Sequence, residues 1–419
     1  MPKTLEIFDL LESNVRSYIR TFPLVVKKAY GSILLDESNH KYLDFLSGAG
    51  TLNYGHNNPQ IKKSLIQYLE SDGLVHGLDM ASVTKRDFIE AFDRLILKPR
   101  GLNYKLQFCG PTGTNAVEAS LKLARIVKQR KSIISFTNAF HGMTLASLSV
   151  TSNPYYRNNI PSVLTANTAF MPYCNCTDEA STSLKLIRKF LEDNSSKMDI
   201  PAAMIVETIQ GEGGVNVASS EWLQGLQAIC EEFGIILIID DIQMGCGRTG
   251  EFFSFEKAKI VPDIVLLSKA VGAYGLPMAL VLIKPELDQW NPGQHNGTFR
   301  GHNLAFFAGT QALNIYWKTD EFSHEIQQKS VLVRKELLRL VKSYPEAELE
   351  IRGRGLVFGL ESKSDPKLAM KLRQACFKNR LILETCGRND QVLKLLPALT
   401  ISESQLRQGL NIIESALAY

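Results

Sequence analysis

Three apolar runs of this chain end in a charge. "AAMIVE" stops at Glu207, "IILIID" at Asp240 and "DIVLLSK" at Lys269. A fourth run, "YKLQFCG", leads straight into the glycine turn "PTGTN". Strands must stop somewhere, so one charge at one strand end says little. The set says more. If the runs lie side by side, two acids, a lysine and a glycine turn meet on one edge. In open parallel sheets, ligands bind outside the carboxyl ends of the strands.

A lysine on the rim of a dry pocket loses its proton more readily, because burial disfavours the charged form. The free amine is then a nucleophile toward carbonyl carbon. An aldehyde cofactor, pyridoxal 5′-phosphate, needs such a lysine together with an acid opposite its pyridine nitrogen. Lys269 is expected to supply the amine. Asp240 is expected to keep the ring nitrogen protonated, so that the ring draws electrons from the substrate. Gly113 and Thr114 open a helix whose backbone N–H groups suit a phosphate. "AFHG" offers Phe140 or His141 at a strand end to stack on the ring.

The elements that must position these residues are legible as apolar runs at 104–110, 132–140, 202–207, 235–240, 263–269 and 278–284. The runs are continuous rather than alternating, which predicts strands buried on both faces of a parallel sheet. Between them, "TNAVEASLKLARIVKQ" and "SEWLQGLQAICEEFG" predict helices, the second with Ser220 as N-cap and Gly234 just past its end. Alternating strands and helices predict an open α/β domain. "YGSILLDESNHKYLDF" (30–45) predicts strands joined by a turn. After residue 306 the pattern becomes helical, then gives "ELEIRGRGLVFGLE" and a final helix.

A length of 419 residues exceeds one simple core and suggests about two or three domains. Net charge is +4, which argues against nucleic acid or an acidic membrane surface as the main partner. No run of about 18 apolar residues predicts a membrane span. "MPKTLEIFDLLESNVRSYIR" lacks the basic start and apolar block of a signal peptide, so the cytoplasm is the expected compartment. Of the seven cysteines, only Cys174 and Cys176 lie close together, and no partner sits at zinc spacing. Free thiols and no metal are expected.

"IIDDIQMGCGRTGEFFSFE" followed by "PDIVLLSKAVG" resembles the signature of the class-III pyridoxal-phosphate aminotransferases. That signature is an apolar strand, Asp-Glu-Val-Gln, Gly-x-Gly-Arg-Thr-Gly, then Pro-Asp and a lysine. The resemblance covers nearly the whole chain, including "YLDFLSGAGTLNYGHNNP", "PTGTNAVEASLKLAR", "VETIQGEGG", "NGTFRGHNLA" and "IRGRGLVFGLE". It implies the α/β fold-type-I architecture: a large domain with a mainly parallel seven-stranded sheet and a small α+β domain. Residues 58–305 would form the large domain, and 1–57 with 306–419 the small one. The resemblance implies that Lys269 is the cofactor lysine, that Asp240 pairs with the pyridine nitrogen and that Gln243 contacts the phenolic oxygen. Gly113 and Thr114 would hold the phosphate and Phe140 would stack on the ring. Thr298 would reach the phosphate of a neighbouring subunit, which implies a homodimer or a higher homo-oligomer. Arg248 reads as structural, and His141 as a hydrogen-bonded packing residue rather than a direct participant.

The same resemblance bears on substrate. Lys394 stands where the family often has an arginine that grips an α-carboxylate, and Glu207 matches a glutamate that pairs with this cation when no carboxylate is bound. Met143 stands where ornithine-type members have an arginine. "SGAGTLNYGHNNP" and "LDQWNPGQHNGTFRG" match one branch of the family, and with them Thr51, Asn53 and Tyr54 become candidate substrate contacts. The branch implies amino transfer from L-glutamate to L-aspartate 4-semialdehyde, giving L-2,4-diaminobutyrate and 2-oxoglutarate, in a route to ectoine, siderophores or peptide antibiotics. Other ω-amine donors (ornithine, acetylornithine or 4-aminobutyrate), an aminomutase or decarboxylase, and a sensor without catalysis are the alternatives. The intact Lys269, Asp240, Gln243 and Thr298 speak against the last.

Overall fold

The apolar runs fold as neighbouring strands of one seven-stranded sheet, but the run 132–140 is a strand only over Ile133–Phe136, so Phe140 and His141 lie in the following loop rather than at a strand end. The computed structural model describes residues 5–158, 161, 167–174, 180–193 and 199–418. The strand order is Lys105–Phe108, Leu280–Ile283, Ile264–Leu267, Ile236–Asp240, Ala203–Val206, Ile133–Phe136, Thr168–Met171. Leu280–Ile283 runs against its neighbours and the others are parallel. Thr168–Met171 is the strand the sequence pattern did not announce. It is an edge strand, mostly half-buried, and so lacks the fully apolar signature of the centre.

Both faces of the central strands are covered. Ile236, Ile238, Ile264 and Leu266 pack on one side with Ala116, Val117, Leu121 and Ala124 of helix Gly113–Lys128. Leu237, Ile239, Val265 and Leu267 face the other side with Trp222 and Leu226 of helix Ser220–Phe233. Each buried Ile, Leu or Val side chain here contributes roughly 1.5–3 kcal/mol by leaving water. That double burial is why the runs show no polar alternation.

Register sets the height of the charges. Ile239 lies opposite Val206 and Asp240 opposite Leu266. Glu207, one residue past Val206, is therefore level with Asp240. Lys269 follows two residues after its strand ends at Leu267. Helix Gly113–Lys128 starts on this same edge, because the loop after Lys105–Phe108 returns there.

The N-cap of helix Ser220–Phe233 is Ser219, not Ser220. Ser219 is extended (φ −73°, ψ 155°) and its hydroxyl accepts from the Trp222 N–H, whereas Ser220 is already helical. Gly234 ends the helix in the left-handed region, as expected.

Among the described residues, two four-stranded sheets and a short two-stranded hairpin complete the frame. Val26–Tyr30, Ile33–Asp36 and Lys41–Asp44 form an antiparallel meander, and Lys41–Asp44 pairs in parallel with Leu381–Ile382. The N-terminal and C-terminal parts of the chain thus share a sheet. Leu349–Arg354, Val357–Ser362, Val392–Leu395 and Glu384–Cys386 form the other, in which Glu384 lies directly opposite Lys394. The six described cysteines are free thiols, and Cys176 lies outside the described residues. Among the described residues no helix is long and apolar enough to cross a membrane.

Candidate active site

Lys269, Asp240, Glu207, Phe140, His141, Gln243, Gly113 and Thr114 line one cavity of about 180 Å³ at the carboxyl edge of the large sheet. The sequence named all eight. Lys269 adopts a left-handed backbone conformation (φ 49°) at the start of the tight turn Lys269–Gly272. For a residue other than glycine such strain costs about 1–3 kcal/mol and is held only where the surroundings impose it. Burial pushes the Lys269 amine below its ordinary value; the Glu212 carboxylate resists this and the Lys394 charge adds to it.

Asp240 is held by His141. Its Oδ2 lies 2.7 Å from His141 Nδ1, and its Oδ1 accepts from the Ile242 N–H at 3.2 Å. The His141 N–H donates to Thr151 Oγ1 at 2.9 Å, which fixes the loop, and His141 Nε2 is buried without a partner. His141 is thus a positioning residue for the acid. The neighbouring Asp241 turns the other way. It accepts from the N–H and the hydroxyl of Ser254, and burial pushes its carboxyl up to about 7.

At the opposite end, Gly113 and Thr114 begin their helix with free N–H groups. Thr114 Oγ1 is set by Thr144 Oγ1 (2.7 Å) and Ser147 Oγ (2.5 Å). Gly142 makes room for this arrangement: its φ is +125°, and a Cβ there would meet Thr114 Oγ1 at 2.5 Å.

The expected Glu207–Lys394 pair is not formed. Lys394 Nζ lies 2.7 Å from Glu212 Oε1 and 2.9 Å from Glu384 Oε1. Glu207 Oε2 instead accepts from the Phe140 N–H at 3.1 Å. Burial raises the Glu207 carboxyl well above its ordinary value, and the Asp240 charge adds to this. Burial would raise Glu212 too, but the Lys394 and Lys269 charges and the hydrogen bonds from Lys394 and Gln243 together outweigh it and hold Glu212 low. The reason for the different partner is geometric. Glu207 sits level with the sheet edge, whereas Glu212 lies in the turn of hairpin Ile209–Gln210/Asn216–Val217, which reaches toward the C-terminal sheet. There the Gly387 N–H donates to the Glu212 carbonyl at 2.9 Å. Sequence reasoning missed Glu212, Glu384 and Tyr18, whose hydroxyl donates to Glu384 Oε2 at 3.1 Å. The second acid in "VETIQGEGG" was the available signal for Glu212.

Gln243 Nε2 donates to Ala49 O (3.1 Å) and Glu212 Oε1 (3.0 Å), leaving Oε1 buried and unpaired. Thr51, Asn53 and Tyr54 do not line the Lys269 cavity. Asn53 donates to Cys246 O at 2.9 Å and accepts from Arg248 at 2.5 Å. Tyr54 accepts from Trp317 Nε1 at 2.9 Å and stacks on Tyr316. The Thr51 N–H closes a turn onto Gly48 O. The polar groups of Asn53 and Tyr54 are absorbed by the core: Tyr54 serves the Trp317 indole, and Asn53 serves a buried cation, which must be hydrogen-bonded. Arg248 is that cation: burial pushes it down to about 9, and it donates to the carbonyls of Leu356 and Pro397 as well as to Asn53. Its structural reading agrees with these contacts. Thr298 lies exposed at the turn Thr298–Gly301, where its carbonyl accepts from His76 Nε2 at 2.8 Å, outside the cavity lining.

Residues 15–417 match the family model of the class-III aminotransferases. The chain belongs to that family, whose members depend on pyridoxal 5′-phosphate. It is 55% identical over 414 residues to the diaminobutyrate–2-oxoglutarate transaminase of Bordetella parapertussis, covering 99% of this chain and 95% of that one. It is 53% identical to the protein of the same name from Vibrio parahaemolyticus, covering 99% and 97%. Among solved structures it is similar to the ornithine aminotransferase of Toxoplasma gondii, which holds pyridoxal phosphate at partial occupancy. That match has a TM-score of 0.84 and 25% identity, and covers 99% of this chain and 93% of that one.

The donor set suits the cofactor. The buried Lys269 amine, the Asp240 carboxylate, the helix start at Gly113–Thr114 and the orphaned Gln243 Oε1 are the groups that an aldehyde, a protonated ring nitrogen, a phosphate and a ring hydroxyl would need. Phe140 supplies the apolar wall.

Proposed function

We propose that the protein moves the amino group of L-glutamate to L-aspartate 4-semialdehyde, giving L-2,4-diaminobutyrate and 2-oxoglutarate. The reading is carried by identity above one half, across 99% of the chain, to relatives named for this reaction. When bound, pyridoxal 5′-phosphate supplies the electron sink and carries the amino group between the two half-reactions. Lys269 Nζ moves the proton at the reacting carbon as a general acid–base, its basicity suited to this by burial. Asp240, oriented by His141, keeps the pyridine nitrogen protonated. Phe140, Gly113, Thr114 and Gln243 hold the cofactor in place.

Lys394 accounts for the two substrates. The α-carboxylate of glutamate takes the place of Glu212 on Lys394, and Glu384 stays opposite on its strand. The semialdehyde has no carboxylate on its reacting carbon, so Glu212 returns. A lysine does this as a point charge rather than as a fork.

Thr298 completes the site from a second copy of the chain. Leu74, Val75, Leu78, Met80 and Phe299 are exposed beside it, and the Gly77 N–H donates to Gly301 O, so this apolar surface is continuous with the threonine turn. We take the cytoplasm as the compartment and a route to ectoine, siderophores or peptide antibiotics as the fate of the product.

The test is a half-reaction. Loaded enzyme is mixed separately with L-2,4-diaminobutyrate, L-glutamate, L-ornithine and 4-aminobutyrate, and the cofactor absorbance is followed. Fast change with the first two alone supports the reading. Preference for ornithine or 4-aminobutyrate keeps the family and discards the substrate. Turnover of diaminobutyrate without glutamate or 2-oxoglutarate would indicate a mutase or decarboxylase.

A further inference from the structure

A second pocket, of about 280 Å³, adjoins the Lys269 cavity and shares Phe140 and Glu212 with it. Its wall carries Arg157, Arg388 and Asp390. Arg157 ends the short turn Pro154–Arg157. Its Nη2 donates to Ser152 O at 2.8 Å and its guanidinium lies 4.9 Å from the centre of the Phe170 ring. Its Nε is buried without a partner among the described residues. The neighbouring Tyr156 meets Phe140 edge-on, with ring centres 5.6 Å apart. A rigid, partly desolvated guanidinium held by a carbonyl and a ring is poised for a bidentate anion. Across the pocket, Asp390 Oδ1 accepts from the Thr385 hydroxyl at 3.2 Å.

The two substrates share one spacing. In glutamate the reacting carbon and the far carboxylate are separated by two methylenes. In diaminobutyrate the reacting carbon and the carboxylate are separated by one methylene and the α-carbon. A carboxylate therefore falls in the same place in both. Only the diamine carries an ammonium beside it. Met143, at the position where ornithine-type members have an arginine, is half exposed and offers no charge.

We propose that Arg157 receives the far carboxylate of both substrates, and that Asp390 receives the α-ammonium of diaminobutyrate alone. This assignment rests on the function proposed above. Together with Lys394 it gives each substrate its own pattern of charges: two cations for glutamate, one cation and one acid for the diamine.

The experiment compares loaded wild-type, Arg157→Gln, Arg157→Lys, Arg388→Gln and Asp390→Asn enzymes. Half-reactions with each substrate are measured, and glutarate, a dicarboxylate without an amine, is titrated by calorimetry. Arg157→Gln is expected to raise KM for glutamate and diaminobutyrate, and Kd for glutarate, by roughly 10- to 100-fold, the scale of a charge-assisted hydrogen-bond pair. The change in kcat should be smaller. Arg157→Lys should lie between Arg157→Gln and wild type, which covers the case in which Arg157→Gln folds poorly. Asp390→Asn should raise KM for diaminobutyrate and leave glutamate and glutarate unchanged. Unchanged glutamate KM and glutarate Kd in Arg157→Gln, or the same losses in Arg388→Gln instead, would overturn the assignment. If wild type fails to convert diaminobutyrate, the proposed reaction falls, and glutamate and glutarate still decide Arg157.

Discussion

Lys394 Nζ lies 2.7 Å from Glu212 Oε1 and 2.9 Å from Glu384 Oε1, fully buried between two acids. Burial opposes its charge, but the two carboxylates outweigh it and hold the ammonium well above its ordinary value. Removing one partner of a buried ion set leaves uncompensated charge, at about 3–5 kcal/mol. Lys394→Ala should therefore lower stability by about that amount in denaturant unfolding. It should also weaken glutamate use more than cofactor binding. Equal loss of both would contradict a role in binding the α-carboxylate.

Asp240→Asn keeps the shape of the pair with His141 but not the charge. Cofactor binding should fall little, while kcat falls by roughly 10²- to 10³-fold, the scale of a lost electrostatic stabiliser. A cofactor titration beside a rate measurement checks this. Full activity would remove Asp240 from its role.

Lys269→Ala removes both the amine that meets the aldehyde and the proton carrier. Transfer should fall by at least about 10⁴-fold, the upper range for a general acid–base. The visible absorbance that the lysine confers on the loaded protein should go with it. Turnover that survives in steady state would disprove the lysine assignment.

Glu207 has a raised carboxyl in the folded chain, caused first by burial and then by Asp240. Above the ordinary glutamate value the unfolded chain has lost this proton and the folded chain has kept it. Stability from this group therefore falls as pH rises toward the raised value. Gln does not titrate and can still accept from the Phe140 N–H. Glu207→Gln should thus gain in Tm relative to wild type between pH 5 and pH 8, the gain growing with pH. A difference that stays flat across that range would place an ionised Glu207 in the fold.

Thr298 is tested by mixing subunits. Thr298→Ala should weaken cofactor binding without changing the Lys269 cavity of its own chain. In a mixed dimer with Lys269→Ala, the chain carrying Thr298→Ala should recover wild-type cofactor affinity, because its partner supplies the threonine. A monomer in sedimentation, at full activity, would exclude the shared site.

The sequence by itself determined the core of the site. Asp240 and Lys269 end apolar runs too continuous to be anything but doubly buried strands, and parallel strands deliver their ends to one edge. Gly113 and Thr114 follow from the same rule, because they open a helix on that edge, whereas Phe140 and His141 lie in the loop after the strand that ends at Phe136. What the tertiary structure decided lies off the sheet. Glu207 and Glu212 are five residues apart in one acidic stretch, and nothing local says which meets Lys394. The hairpin at Ile209–Val217 carries Glu212 outward, while strand register pins Glu207 at the sheet edge. Asn53 likewise looked free for substrate until the fold brought Arg248 against it. Periodicity reports burial along one element. Which polar group meets which charge depends on contacts between elements far apart in the chain, and those exist only once the sheets are packed.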